Sequence, residues 1–255
     1  LQQLIDGNDL STEQMKKAMH LIMQGKVGTE QLITFMTTLS EKKESIIEVV
    51  SAAKAMLDFS EPIDLNQPML VDIVGTGGDN SNTFNISTAC CFVVACTDAI
   101  VAKHGNRSVS SRSGSADLLQ QAGVNLELTP DQIKQCIDQL NIGFLFALNF
   151  HPAMHHTREA RRKLGKRSIF NLLGPLTNPC RAKYQVFGVY SAKLVEPMAH
   201  VLKELGSVHA LVVHGKEGLD EISIQGETLV AELKDQKVHC YQIKPEDYSI
   251  LASSL

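Results

Sequence analysis

The sequence contains no tryptophan, and aromatic residues of every kind make up only 5% of its 255 residues. Proteins that bind single-stranded nucleic acid usually stack the bases on exposed aromatic rings. The formal net charge of -4 also lacks the excess of cations that attracts a polyanion to a protein surface. These two shortages argue against nucleic acid as the partner of this chain.

Long hydrophobic runs are absent too: no apolar stretch approaches membrane-spanning length, and no basic segment followed by an apolar one opens the chain. The cysteines show no C-x-x-C spacing, and several lie in apolar runs, where a free cysteine behaves as a small buried hydrophobe. We therefore expect no membrane partner, reduced cysteines in the core and a cytoplasmic location. The cysteines are Cys90, Cys91, Cys96, Cys136, Cys180 and Cys240.

The spacing of hydrophobic residues divides the chain into two predicted domains. Residues 1–65 show the periodicity of short amphipathic helices, one of them opened by a capping box at Ser11 and Gln14. From residue 69 short apolar strands alternate with helices, and residues 222–233 and 237–243 alternate like antiparallel strands with a turn at Gly226 and Glu227. The predicted fold class is α/β: a small all-helical N-terminal lobe (1–65) plus a larger α/β domain (69–255) with a mainly parallel central sheet.

The strongest local signal is the segment GTGGD at 75–79, directly after a predicted buried strand. Glycines allow the backbone to approach a ligand closely, and successive amide groups in such a loop form an anion-binding concavity. Asn85, Ser87 and Thr88 open the next predicted helix, whose free N–H groups favour phosphate. The pattern suits a pyrophosphate, although a tight strand-to-helix turn is a close alternative for the loop alone.

Two common nucleotide-binding loops are excluded. Asn80 stands where the motif G-x-G-x-x-G requires its third glycine, and Gly165-Lys166 is followed by Arg167 instead of serine or threonine. The chain therefore has neither a dinucleotide fingerprint nor a P-loop.

A second loop, KHGNR at 103–107, follows another predicted strand and is itself followed by several serines and Gly114. Lys103 offers a point charge for phosphate and Arg107 a planar fork of donors. Open α/β sheets bind ligands at this carboxyl edge of their strands. A solvated basic turn is the alternative interpretation.

Two further clusters carry charge. Asp220 and Glu221 are adjacent acids in a predicted loop and could hold magnesium, which needs few protein carboxylates when it also binds phosphates; alone, such a pair is usually solvated. Arg158, Arg161 and Arg162 share a helix face. One of them could bind a carboxylate substrate through two hydrogen bonds, and an exposed basic face is the default alternative.

Taken together, these segments resemble the anthranilate phosphoribosyltransferase family of tryptophan biosynthesis, over nearly the entire chain. The motifs are GTGGD at 75–79, NIST at 85–88, KHGNR at 103–107, SGSAD at 113–117, HPAM at 151–154, FNLLGPLTNP at 170–179 and HGKEGLDE at 214–221.

The resemblance implies transfer of the ribose phosphate of 5-phosphoribosyl 1-diphosphate (PRPP) to anthranilate, with Mg2+ as cofactor and no indispensable catalytic acid or base. The implied magnesium positions are Ser87, Asp220 and Glu221, and the anthranilate positions are Gly75, Asn106 and Arg161. The implied PRPP positions are Gly75, Gly78, Asp79, Thr83, Asn85, Ile86, Ser87, Thr88, Lys103, His104, Gly105, Asn106, Arg107, Ser108, Val109, Ser110, Ser111 and Ser115.

The resemblance also implies a homodimer joined through the helical domain, to which helices from about residues 151–180 contribute. Because family members continue past this C-terminus, we expect the α/β domain to be C-terminally incomplete. Two alternatives stay open: a pyrimidine nucleoside phosphorylase, which shares the fold, and a non-catalytic nucleic-acid-binding relative.

Overall fold

The computed structural model describes residues 1–65, 67–79, 81, 83–108 and 113–253. Its helices and strands alternate as in an α/β protein after four initial helices. The α-helices are α1 (Gln2–Ile5), α2 (Thr12–Met23), α3 (Thr29–Lys42), α4 (Ile46–Asp58), α5 (Ile86–Ala95), α6 (Ser115–Gln121), α7 (Pro130–Leu140), α8 (Ala147–Phe150), α9 (Arg158–Leu164), α10 (Ile169–Leu176) and α11 (Val195–Glu204). The strands are β1 (Leu70–Gly75), β2 (Ile100–Gly105), β3 (Ile142–Phe146), β4 (Tyr184–Gly188), β5 (His209–Gly215), β6 (Thr228–Lys234) and β7 (Lys237–Ile243). Short 3-10 helices span Pro152–Thr157, Ala192–Leu194 and Pro245–Tyr248.

Local sequence explains where the first helices begin. The Ser11 side chain accepts from the backbone of Gln14, and the Gln14 side chain accepts from the backbone of Ser11 in return, which completes the predicted capping box of α2. Ser45 and Glu48 form the same arrangement at α4. Each box gives partners to backbone N–H groups that a helix start would otherwise leave unpaired.

The strands form a seven-stranded sheet in the order β3-β2-β1-β4-β5-β6-β7. The pairs among β1 to β5 are parallel, and β6 and β7 add two antiparallel pairs. The prediction of a mainly parallel sheet is therefore confirmed. The chain runs outward from β1 to β3 and then returns to place β4 on the other side of β1, so the carboxyl ends of β1 and β4 flank the point where ligands bind in such sheets.

The predicted hairpin near the end of the chain was misplaced. Strand β6 begins at Thr228, and residues 222–227 precede it as irregular backbone. The turn lies at Asp235 and Gln236, between the paired residues Lys234 and Lys237. Both turn residues have positive φ, 49° and 60°, as a two-residue hairpin turn requires. Glycine usually supplies that conformation, and its absence from this turn hid the turn's position.

The prediction that the cysteines are core residues was wrong in part. All six are free, but Cys90, Cys96 and Cys240 are exposed and Cys91 alone among them is fully buried. Burial raises the pKa of the Cys91 thiol to about 12, so this thiol stays protonated and behaves as a hydrophobe.

One continuous hydrophobic core joins the helical part to the sheet. Its buried residues run from Leu4 in α1 through Met56 in α4 to Phe187 and Leu233 on the strands. Helix α4 packs on α10 and α11, and α3 packs on α9. Among the described residues, none of the helices combines the length and the apolar character that crossing a membrane requires.

Candidate active site

A cavity of about 990 Å3 opens at the carboxyl edge of the parallel strands. The loops after β1 and β2, the start of α5, the helix α9 and the acids that follow β5 all line it. This is the edge where the strand order reverses around β1, so the sheet topology brings together segments that are far apart in sequence.

Glycines at the ends of β1 and β4 make room for the acid Asp220. Gly75 and Gly188 are register partners on the two strands. A Cβ atom on Gly75 would lie 2.9 Å from the carboxylate Oδ2 of Asp220, and one on Gly188 would collide with the backbone carbonyl of Asp220. Close approach of the 220 segment to the sheet edge therefore requires glycine at both positions.

Asp220 binds the loop after β1, and Glu221 binds the start of α5. The Gly77 N–H donates to Asp220 Oδ2 at 2.7 Å, and the Ser87 N–H at the start of α5 donates to Glu221 Oε1 at 3.1 Å. Burial, followed by the charge of Asp79, raises the pKa of Asp220 to about 6. Burial, followed by the charge of Asp220, raises the pKa of Glu221 to about 7. Acids held so close together bind a proton or a cation readily.

Lys103 lies beneath α5 and is almost fully buried. Its Nζ donates to the Ile73 carbonyl at 2.6 Å and to Ser87 Oγ at 3.4 Å. The lysine thus places a positive charge under the helix start, where a phosphate would sit. The buried Asp72 on β1 lies close enough for the lysine charge to act on it, yet burial still raises the pKa of Asp72 to about 6.

The second loop is held from behind by Asp117 of α6. Its carboxylate accepts from the backbone N–H of Ser108 at 3.0 Å and of Gly114 at 2.9 Å, and from Arg107 Nη1 at 3.0 Å. These donors lower the pKa of Asp117. A Cβ atom on Gly114 would collide with the Ser108 backbone, so the loop closes only with glycine there.

A basic and aromatic end of the cavity is formed by α9 and α10. The Arg161 guanidinium carbon lies 5.8 Å from the centre of the Phe170 ring, a cation–π contact. Burial lowers the pKa of Arg161. The rings of His104 and His151, which also line the cavity, are 5.2 Å apart. Burial lowers the pKa of His104 to about 3, which keeps its imidazole neutral.

Three buried polar atoms in this cavity have no partner among the described residues: Thr88 Oγ1, His104 Nε2 and His151 Nδ1. Buried polar groups are normally satisfied, because each orphaned group costs about 1–3 kcal/mol. All three atoms belong to residues that line this cavity.

The structure brings the predicted site residues into this one cavity. Every predicted PRPP, magnesium and anthranilate position among the described residues lines it. Val109, Ser110 and Ser111 lie outside the described residues. Arg158 and Arg162, which the sequence offered beside Arg161 as candidates for binding a carboxylate, line it too. Several lining residues had no predicted role: His151, Met154, Phe170, Asn171 and Gly174. Segments 151–154 and 170–179 were noted as motifs, but only folding shows which of their side chains face the cavity.

The acid pair fits a magnesium ion that arrives with its ligand. Among the described residues, no group of three or more His, Cys, Asp and Glu side chains is arranged to hold a metal. Mg2+ commonly binds through one or two carboxylates while water and substrate phosphates complete its shell. Two adjacent acids with raised pKa, Asp220 buried and Glu221 half-buried, beside a phosphate-type loop match that mode.

The fold and this cavity define a glycosyltransferase of the class that combines a helical bundle with an α/β domain. Residues 1–60 match the glycosyl transferase family helical bundle domain, and residues 67–255 match the glycosyl transferase family a/b domain. The chain belongs to the anthranilate phosphoribosyltransferase family. The predicted family, fold class and enzyme class are thereby confirmed.

Relatives with similar sequences support this assignment. The chain is 50% identical over 255 residues to anthranilate phosphoribosyltransferase of Ectopseudomonas mendocina and covers 73% of that protein. It is 51% identical over 254 residues to the enzyme of Legionella pneumophila (strain Corby) and covers 74% of it. Both alignments include 100% of the present chain.

The solved structures agree in fold. The crystal structure of the Thermus thermophilus enzyme matches with a TM-score of 0.93 and 41% identity, covering 99% of this chain and 75% of that one. The Saccharomyces cerevisiae enzyme in complex with PRPP and Mg matches with a TM-score of 0.88 and 30% identity, covering 96% of this chain and 71% of that one. A complex of the yeast enzyme with 4-fluoroanthranilate matches with a TM-score of 0.85 and 29% identity, covering 96% and 71%.

Proposed function

We propose that this chain transfers the 5-phosphoribosyl group of PRPP to the amine of anthranilate, as a step of tryptophan biosynthesis. The bond from ribose C1 to the diphosphate oxygen breaks, a bond from C1 to the amine nitrogen forms, and the amine loses one proton. The observation that carries the proposal is the meeting of two glycine-bearing loops and an adjacent acid pair in a single cavity. The names of the relatives, and the yeast complexes with PRPP and 4-fluoroanthranilate, support the same substrates.

The diphosphate end of PRPP belongs at the first loop and the start of α5. Gly77 and Gly78 have positive φ, 64° and 77°, and the loop backbone can approach phosphate oxygens closely. Thr88 Oγ1 is buried without a partner among the described residues and can donate to a phosphate oxygen. Lys103 supplies positive charge from below, and the second loop with Asn106 and Ser115 closes the other side.

Asp220, Glu221 and the Ser87 hydroxyl are the residues that would hold magnesium. When bound, it would neutralise negative charge on the departing diphosphate. The Ser87 N–H already donates to Glu221, so the helix start and the acid keep a fixed relation to one another.

Anthranilate belongs at the end of the cavity formed by Arg161 and Asn106. A guanidinium with lowered exposure to water binds a carboxylate strongly, and the Phe170 ring beside it offers an apolar surface. This placement directs the amine of anthranilate toward the ribose held by the loops.

No side chain has to create the nucleophile, because an aromatic amine is already one. Catalysis then comes from holding the amine in line with C1 and from stabilising the charge that develops on the diphosphate. The neutral His104 imidazole can accept or donate a hydrogen bond without adding charge.

The direct test is to follow the loss of anthranilate fluorescence with PRPP and Mg2+. The chain contains no tryptophan, so protein fluorescence does not obscure the signal. Wild type should consume anthranilate only when both PRPP and Mg2+ are present. The combined change Asp220→Asn with Glu221→Gln should lower kcat about a hundredfold, since a catalytic metal contributes several kcal/mol.

Glu217→Gln is the matched control. Glu217 lies in the same loop, contacts Ser223 and does not line the cavity among the described residues, so activity should be retained. Turnover that is independent of Mg2+ would contradict the metal assignment. Release of free base from thymidine and phosphate, without use of anthranilate, would favour a nucleoside phosphorylase.

The division at 1–65 and 69–255, the homodimer and the cytoplasmic location are proposals as well. Contacts of α9 with α3 and of α10 with α4 support a helical domain that includes part of 151–180. Exposed Ile5, Leu21 and Ile47 offer an apolar surface on that domain for a second copy. Light scattering of the wild type and of Ile47→Lys tests this: the wild type should have twice the mass of the variant.

A further inference from the structure

The loop 76–79 needs something to hold its shape. Gly77 and Gly78 both have positive φ, and a Cβ on Gly77 would meet no atom of the described residues within 4 Å. Glycine loses more conformational freedom on ordering than any other residue. On the side of the acids, the Gly77 N–H is held by Asp220. The opposite side of the loop is covered by Arg167.

Arg167 contacts this loop directly. Its Nη1 donates to the Gly78 carbonyl at 2.7 Å, a hydrogen bond from a charged donor and therefore stronger than a neutral one. Its Cδ and Nη1 would both lie 3.7 Å from a Cβ on Gly78, so the side chain lies flat against the loop.

The Tyr190 ring packs against the guanidinium of Arg167. The guanidinium carbon of Arg167 lies 4.3 Å from the centre of the Tyr190 ring, within the range of a cation–π contact. The Tyr190 N–H donates to Thr76 Oγ1 at 3.1 Å, and the Thr76 N–H donates to the Gly188 carbonyl at 2.9 Å. The backbone of Tyr190 is thus bonded to Thr76, the first residue of the loop. Arg167, which lies on the Tyr190 ring, contacts the same loop at Gly78.

The position of Arg167 separates it from the ligand-binding residues. Among the described residues, the cavity lining includes Gly78 but not Arg167. Arg167 follows α9 and precedes α10, and both helices pack against the N-terminal helices. The side chain therefore connects the helical part of the molecule to the loop, from outside the cavity.

We infer that Arg167, stacked on Tyr190, is a positioning residue that holds the loop 76–79 in the shape that receives a diphosphate. The identity of that diphosphate as PRPP rests on the proposed function. Without Arg167 the two glycines sample other conformations, and ordering them again on binding weakens the affinity for PRPP. Anthranilate binds elsewhere in the cavity and should be little affected.

The test combines kinetics with hydrogen exchange of the loop in the protein without ligand. Arg167→Ala should raise KM for PRPP about tenfold, the scale of one hydrogen bond from a charged donor, while KM for anthranilate changes less than about twofold. Backbone exchange in the peptide that contains 76–79 should become faster. Tyr190→Leu should reproduce both effects, and Tyr190→Phe, which keeps the ring, should not.

Lys166→Ala is the matched control. It removes a positive charge one residue away, from a side chain with no hydrogen bond or ion pair to any described residue, and should leave exchange and KM for PRPP unchanged. Wild-type exchange and wild-type KM for PRPP in Arg167→Ala would overturn the inference, as would equal rises of both KM values. If the wild type does not consume anthranilate but exchange still rises in Arg167→Ala, the proposed function fails and the positioning role stands.

Discussion

In the proposed function, Arg161 is the residue that binds the carboxylate of the second substrate. It lines the cavity with its guanidinium carbon 5.8 Å from the centre of the Phe170 ring, and burial lowers its pKa. Water competes little for such a guanidinium, so its pairing with a carboxylate is worth more than at the surface.

Arg161→Ala should therefore raise KM for anthranilate at least about tenfold and leave KM for PRPP nearly unchanged. Steady-state kinetics with each substrate varied in turn measures both values. Arg181→Ala, a change of an exposed arginine outside this cavity, is the control. Equal losses for both substrates would contradict the assignment of Arg161 to anthranilate.

His104 predicts a dependence of stability on pH. Burial, and then the neighbouring His151, lowers its pKa to about 3, below the value of about 6.5 for an unfolded histidine. Between about pH 3 and about pH 6.5, this histidine binds a proton in the unfolded chain and does not bind one in the folded protein. The free energy of unfolding therefore falls as pH falls from 6.5 toward 3, by up to about 1.4 kcal/mol per pH unit for this group.

Urea unfolding of the wild type and of His104→Asn at pH 7, 6 and 5 isolates this contribution. From pH 6 to pH 5 the wild type should lose about 1.2 kcal/mol of stability relative to His104→Asn. Titrating groups far from His104 are common to both proteins and cancel, whereas His151, whose ring lies 5.2 Å from that of His104, is the neighbour that the substitution also affects. A difference that stays constant with pH would mean that folded His104 accepts its proton normally.

At the scale of elements, the helical part depends on one buried carboxylate. Glu48 is fully buried in α4 and accepts from the Leu10 N–H at 2.9 Å, from the Ser45 N–H at 2.8 Å and from Lys42 Nζ at 2.8 Å. It therefore connects α3, α4 and the segment before α2. The capping pattern alone predicts only its bond to Ser45.

Glu48→Ala should destabilise the protein by about 3 kcal/mol, because it leaves two backbone donors without a partner and removes from Lys42 its buried carboxylate, so that only Asp9 and the Lys43 carbonyl still accept from this lysine. Urea unfolding measures the loss. Lys16→Ala breaks the pair with Asp58, in which both side chains are about half exposed, and should cost less than about 1 kcal/mol. Similar losses of unfolding free energy for both variants would show that the hydrogen bonds of Glu48 stabilise the protein no more than an exposed ion pair does.

For the whole molecule, the shared core predicts cooperative unfolding despite two family domains. A single buried cluster extends from Leu4 to Leu233, so the helical part cannot separate without exposing apolar surface of the sheet domain. Domains with independent cores usually unfold in separate steps, and this one core argues for a single step.

Two spectroscopic signals can test this cooperativity. Far-UV circular dichroism follows all helices, whereas tyrosine fluorescence follows the α/β domain, because all four tyrosines lie at or beyond residue 184 and tryptophan is absent. Both signals should have the same thermal midpoint, and Met19→Ala, a core change in α2, should lower both midpoints together. Two separate midpoints would show independent domains.

The local sequence by itself determined where several helices begin, how strands and helices alternate, and where two ligand-type loops lie. The capping boxes at Ser11 and Ser45, the alternation of strands with helices and the two loops at 75–79 and 103–107 are written in neighbouring residues. Their physical causes act over a few residues: a cap pairs the next turn of the same helix, and glycines permit a sharp loop whatever lies around it.

Only the tertiary structure decided which distant groups meet. Asp220 sits against Gly75 and Gly188 because the sheet order places β4 beside β1 and β5 beside β4. Arg167 reaches Gly78 because α9 and α10 pack at the same edge. The hairpin turn at Asp235 carries no glycine, and strand pairing placed it there. Such contacts depend on long-range packing, which overrides weak local preferences and leaves no periodic signal in the chain.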